Sequence, residues 1–267
     1  MNYLRTLAAN IFKNRYLLLL WTKREIKARY AGTAAGVIWA TLVPLCTIAL
    51  YYIFFSLVLK IKIPEVAGSS GYFFYLLAGL IPWMSLSEGL GRSASCLVDY
   101  GFLVQKMVFP MDIIPATVVI VSLVPQVVGF FIYVAMLSLG GLVEWYRLLW
   151  VPVIFLCQVM LMLGMAYLLS ALGAVFRDSI QAVGILLQFW FYLTPILYPL
   201  KMVPESFRPF ILWSNPLTPL VMGYQWAFLG IAMPEWMPAM MVLWTFLALL
   251  MGPCLFYIVA PTLADQV

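Results

Sequence analysis

Any chemistry this chain performs is done without histidine. Its strongly ionisable groups are 15 lysines and arginines and 10 aspartates and glutamates in 267 residues, with no histidine. That removes the commonest general base, metal ligand and proton relay near neutral pH. The carboxylates are scattered, so neither an acid–base pair nor an intramembrane coupling site is indicated. Glu88 alone falls where a span could enclose it, and Arg92, four residues on, is its expected partner at a helix end. No lysine precedes a serine or threonine, so there is no P-loop, and any ATP that drives this protein is bound by another chain. Cys46, Cys96, Cys157 and Cys254 form no Cys-x-x-Cys pair and read as small hydrophobes rather than as metal ligands or disulfides. What remains is aromatic. Rings make up 16% of the chain and concentrate at Trp39, Tyr51, Tyr52, Phe54 and Phe55, and again at Phe189 to Tyr192 and Tyr198. Tryptophan and tyrosine near span ends are ordinarily interface anchors. Four consecutive rings go around a helix, so some must face protein or a lumen. A sugar ring offers C–H groups to such a face while its hydroxyls stay wet.

The elements that must position these residues are membrane helices. The chain is 65% hydrophobic and 9% charged, with mean hydropathy +1.03. A soluble fold of this size could not bury that much apolar surface. A soluble enzyme, a nucleic-acid binder and a disordered chain are therefore excluded despite the basic pI. At about 20 apolar residues per span there is material for five to seven spans. The spans are read at 31–59, from about 72 to a blurred end near 89, at 113–143, 148–176 and 180–200, and at 237–260. Segment 209–234 is apolar but interrupted by Asn215, Pro216, Pro219 and Gly223. A break in lipid strands backbone groups, so two short re-entrant helices are preferred to a seventh span.

The first 30 residues hold 7 of the 15 basic residues. Residues 17–30 read as an interfacial helix, with Lys23, Arg24 and Lys27 on one side and Leu19, Thr22, Ile26 and Tyr30 on a less polar face. Counted over six spans with the N-terminus inside, ten basic residues lie inside and five outside, which supports a cytoplasmic N-terminus. The expectation is one all-α polytopic domain over 1–267. It comprises an interfacial segment 1–30 and a membrane domain 31–260, with six transmembrane helices, a loop 92–112 and a re-entrant segment 201–236 between spans five and six. Asp178 is expected to cap span five, and Arg177 to hydrogen-bond helix-end carbonyls.

Five stretches in order resemble ABC-2 type permeases: KREIKARYAGTAAGVIWATLVP at 23–44, AGLIPW at 78–83, LVQKMVFPMDIIP at 103–115, FRDSIQAVGILLQFWFYLTPILYP at 176–199 and NPLTPL at 215–220. Phe176 and Thr194 stand where that family often has tyrosine and serine. The chain is most similar to permeases that export lipid-linked O-antigen, capsule or teichoic-acid polymers. The resemblance implies a homodimer in the bacterial inner membrane, surrounded by membrane lipids and working with two copies of an ABC ATPase. That partner would bind ATP and magnesium, and this chain would carry no cofactor, no metal and no nucleic acid. It implies ATPase coupling through Lys23, Arg24, Lys27, Leu97, Leu103, Lys106, Phe109, Arg177 and Asp178. The implied channel lining is Trp39, Tyr51, Phe55, Trp190, Tyr192 and Tyr198, and the implied outer gate is Asn215, Pro216 and Pro219. Alternatives are an ABC-2 permease for a drug or small lipid and a membrane-embedded glycosyl- or acyltransferase.

Overall fold

The computed structural model describes residues 2–30, 46–58, 60, 71–101 and 109–266. Trp39, Leu103, Lys106, Pro44 and most of the expected first span lie outside the described residues. Among these residues the chain is helical, with no strand. Four helical stretches are long and apolar enough to cross a membrane: Gly71–Asp99, Ile113–Leu139, Trp145–Val175 and Met237–Val259.

Two helices precede the membrane domain, where the sequence suggested one. Helix α1 (Asn2–Lys13) carries Tyr3, Leu4, Leu7, Ile11 and Phe12 at helical spacing and buries Leu7. Asn14 turns the chain into α2 (Arg15–Tyr30), its side chain donating to the Asn10 carbonyl at 3.0 Å. The packed face of α2 is Leu18, Trp21 and Thr22, while Leu19 is 65% exposed. Of the expected face, Thr22 is buried and Ile26 half-buried, while Leu18 and Trp21 take the place expected for Leu19. The cause is Trp21, whose ring seats on Tyr100 and Phe109.

The apolar helix α3 (Cys46–Phe55) runs into a π-helical stretch, Ile53–Val58. Helix α4 (Gly71–Asp99) is central and packs on α5 (Ile113–Leu139), α7 (Val151–Val175), α8 (Asp178–Leu193) and α10 (Thr218–Leu229). Ser85, Ser87, Glu88 and Gly89 do not end it. The hydroxyls of Ser87 and Ser93 donate to carbonyls three and four residues back, so the helix bonds its own polar side chains. Residues 92–99 of the expected loop 92–112 therefore belong to α4. Between α5 and α7, the short α6 (Trp145–Leu148) is held by an Arg147–Glu144 ion pair at 3.0 Å. Arg147 also lies over Gly230, whose φ of 72° ends α10 and whose missing Cβ leaves room for the guanidinium.

Pro195 ends α8 after 16 residues, and Thr194 before it is extended, as a residue preceding proline should be. The expected fifth span at 180–200 is thus a shorter helix plus an unwound segment. Helix α9 (Arg208–Ser214) and α10 are separated by Asn215-Pro216-Leu217, so segment 209–234 is broken where the sequence placed the break. The last helix, α11 (Met237–Gln266), packs along α7.

Three polar side chains inside the bundle are paired across helices. Gln126 and Gln158 exchange amide hydrogen bonds at 2.7 Å between α5 and α7, and Tyr224 of α10 donates to Gln158 Oε1 at 2.6 Å. In an apolar surrounding each such group would cost free energy if left alone.

Candidate functional site

A groove of about 280 Å³ opens between α3, α4 and α8. Helix α3 contributes Thr47 and Tyr51, α4 contributes Trp83 and Ser87 one turn apart, and α8 contributes Leu187, Gln188 and Phe191. Phe191 is the centre of the aromatic lining, with ring centroids 5.4 Å from both Tyr51 and Trp83. Val183, Leu187 and Phe191 form the buried stripe of α8, and this stripe sets the rotation of the helix. Trp190 is consequently half-buried against the core, and Tyr192 is 54% exposed beside Phe191. Phe191, between them, holds the centre of the groove. Tyr51 lines the groove and Phe55 packs edge-on against it at 6.4 Å. Tyr198 is half-buried, with its hydroxyl donating to the Tyr192 carbonyl at 2.6 Å. Trp83 and Gln188 were not singled out by the sequence argument. Rings flanked by a hydroxyl and an amide match the two surfaces of a pyranose.

Next to the groove the unwound segment 194–200 is held in a collar of donors. The Tyr75 hydroxyl lies 2.7 Å from the Pro195 carbonyl and 2.8 Å from that of Tyr198. Tyr72 donates to the Leu197 carbonyl at 2.9 Å, and Gln225 to that of Pro195 at 2.8 Å. Asn215, fully buried, donates to Thr194 Oγ1 at 2.6 Å and accepts from the Leu217 amide at 2.9 Å. It ties the break between α9 and α10 to the end of α8. Pro216 removes a donor at that break, and Pro219 sits in the first turn of α10, where its missing N–H costs nothing. Asn215→Leu would leave the buried Leu217 amide unpaired, at about 1–3 kcal/mol, while Thr194 keeps its bond to the Trp190 carbonyl. We expect it to lower the thermal midpoint of the detergent-purified protein. Asn215→Asp, which keeps the acceptor for the Leu217 amide, should lower it less.

At the opposite, basic end, Lys23, Arg24 and Lys27 are exposed, and Arg24 lies over the Trp21 ring at 4.3 Å. Leu97 is 2% exposed and packs inside, so it supports this surface rather than presenting it. Phe109 is half-buried on Trp21 with centroids 5.1 Å apart. Arg177 and Asp178 are exposed. Arg177, not Asp178, occupies the cap position of α8, and no side chain bonds there. Glu88 forms a fork with Arg29 at 2.7 and 2.8 Å, while its expected partner Arg92 stands at 3.8 Å and also reaches Glu25 at 3.6 Å. Burial raises the Asp112 carboxyl above the usual carboxylate range, opposed by hydrogen bonds from Asn10 and Tyr257.

These features define a multi-pass membrane protein with an aromatic groove at one bundle face and a basic, ion-paired end. Residues 16–229 match the ABC-2 type transporter family, and the chain belongs to it. It is 33% identical over 236 residues to the O-antigen export system permease protein RfbA of Myxococcus xanthus, covering 88% of each chain. It is 29% identical to the Klebsiella pneumoniae protein of that name, covering 80% of each. Its identity to the polysialic acid transport protein KpsM of Escherichia coli is 24%, over 74% of this chain and 75% of that one.

Proposed function

We propose that this chain is the permease subunit of an ATP-driven exporter of lipid-linked polysaccharide in the bacterial inner membrane. The observation that carries the reading is the groove of Tyr51, Trp83 and Phe191, in a chain matched along 88% of its length by an O-antigen export permease. The working unit is a homodimer with two ATPase subunits, which bind ATP and magnesium. The basic end is cytoplasmic, as the distribution of lysine and arginine favours. Lys23, Arg24, Lys27, Phe109, Arg177 and Asp178 belong to the surface that meets the ATPase, together with Leu103 and Lys106. The helices containing Tyr51 and Phe191 complete six spans, and the polymer passes along the aromatic groove between them. Helices α9 and α10 re-enter from the outer face, and Asn215, Pro216 and Pro219 form the outer gate.

Deletion of the gene should abolish surface polysaccharide while the polymer accumulates inside, and the tagged chain should co-purify with an ATPase. Unchanged surface polymer in the deletion strain would overturn the reading. The orientation is tested separately. A cysteine at Ser206 should label from outside and one at Gln266 only from the cytoplasm.

A further inference from the structure

We infer that Trp21 and Asp112 are positioning residues that mount both feet of the α4–α5 connection on the N-terminal helices. This rests on the reading of that connection as a surface the ATPase moves.

The first foot is Tyr100, just past the end of α4, and the second is Phe109, shortly before α5. Both pack on one side chain of α2. The Trp21 ring meets Tyr100 edge-on at 5.9 Å and Phe109 at 5.1 Å. Trp21 is 8% exposed, and the guanidinium of Arg24 covers it. A single indole thus clasps two points that are nine positions apart in the chain.

Asp112 closes the second foot. It is 8% exposed, yet among the described residues its carboxylate is held by a neutral amide donor and not by a cation. Asn10 of α1 donates to Oδ2 at 2.8 Å, and the Tyr167 hydroxyl of α7 donates to the Asp112 backbone carbonyl at 2.6 Å. Asn10 also reaches the Tyr257 hydroxyl at 3.2 Å, and the Tyr257 ring stacks on Tyr3. An apolar residue would pack at this position without the cost of burying a carboxylate. What the carboxylate adds is direction: a charge-assisted bond from Asn10 fixes α1 at the point where Tyr167 holds the Asp112 backbone to α7 and Asn10 meets Tyr257 of α11. A displacement at the feet then reaches α5, α7 and α11 together instead of being absorbed by local bending. The mounting differs from a contact with the ATPase, because neither side chain is exposed enough to touch a partner.

The test uses the full permease–ATPase complex in nanodiscs and the same variants in cells. Trp21→Leu and Asp112→Leu should raise amide hydrogen exchange at residues 98–101 and 109–113 by about tenfold or more. They should cut polymer export about fivefold or more while ATP hydrolysis per complex stays within about twofold of parental. Trp21→Phe and Asp112→Asn, which keep a ring and an acceptor, should restore both readouts. Asn10→Ala removes the Asp112 contact from the periphery, and it decides the matter if Asp112→Leu does not accumulate. Unchanged exchange in the leucine variants would overturn the inference. So would export and ATP hydrolysis falling in parallel, the signature of general instability. The exchange measurement stands even if the parental complex carries no polysaccharide, so failure of the transport reading is distinguishable from failure of this one.

Discussion

Gly252→Leu is expected to leave almost no folded protein in the membrane fraction. Helices α7 and α11 cross with their backbones in contact. A Cβ on Gly252 would overlap the Gly164 carbonyl, and one on Gly164 would overlap the Ala248 backbone. Ala248 and Gly252 are four residues apart, so both small residues lie on the same face of α11. Packing between membrane helices gains little from expelling water, and close van der Waals contact with interhelical hydrogen bonding has to supply the attraction. Here the colliding atoms are backbone, so no rotamer change relieves the overlap. Separating the helices would open a gap along their length and loosen the Tyr167–Phe256 contact, now at 5.1 Å. A cost above about 4 kcal/mol is of the kind that removes most of a protein's net stability. Size-exclusion chromatography of a fluorescently tagged variant measures the outcome. Gly184→Ala is the control, because a Cβ there meets nothing within 4 Å on the exposed side of α8. It should be neutral or stabilising by up to about 1 kcal/mol. A monodisperse Gly252→Leu protein at parental yield would refute the backbone-contact argument.

The helices that follow uninterrupted apolar runs were legible from sequence because period and length suffice for them. Ile113–Leu139 and Met237–Gln266 start where the runs start. The end of α4 was not legible, because hydropathy counts a serine as polar while the helix lets its hydroxyl bond back to its own carbonyls. Helix α1 was not legible for another reason: Leu4, Leu7 and Ile11 stand among Asn2, Arg5, Thr6, Asn10 and Lys13, so hydropathy averages out over its 12 residues. The rotation of α2 could not be chosen by pattern, since Leu17 to Trp21 are apolar all round. Only the non-local seat of Trp21 selects a face. In the aromatic run the deciding signal was present but small. Val183 and Leu187, at spacings of four, point to Phe191, whereas counting rings favours no residue over its neighbours. The tie between Asn215 and Thr194 joins residues 21 apart through a folded break, and no local spacing encodes it.

Gln188→Trp is expected to reduce polymer export by about an order of magnitude or more while leaving folding intact, if the groove is the conduit. Gln188 lines the groove yet is exposed, so a larger side chain can be carried there without displacing core atoms. An indole at 188 would project toward Thr47, Tyr51 and Ser87 and occupy a substantial part of the 280 Å³. The loss comes from steric exclusion and should appear with polymer of any length, because each repeat must pass the same point. Gln188→Ala removes one amide and widens the groove, and should export close to the parental rate. Phe191→Ala tests attraction rather than space. It deletes ring contacts to Tyr51 and Trp83 worth about 0.5–1.5 kcal/mol each, so it should slow export several-fold, and Phe191→Tyr should not. Tyr192→Ala, at an exposed position beside the groove, should act less than Phe191→Ala. All rates are compared at equal protein level, with ATP hydrolysis by the purified complex measured in parallel. Parental export by Gln188→Trp at full expression would place the polymer path elsewhere, and the aromatic lining would then be packing between α3, α4 and α8.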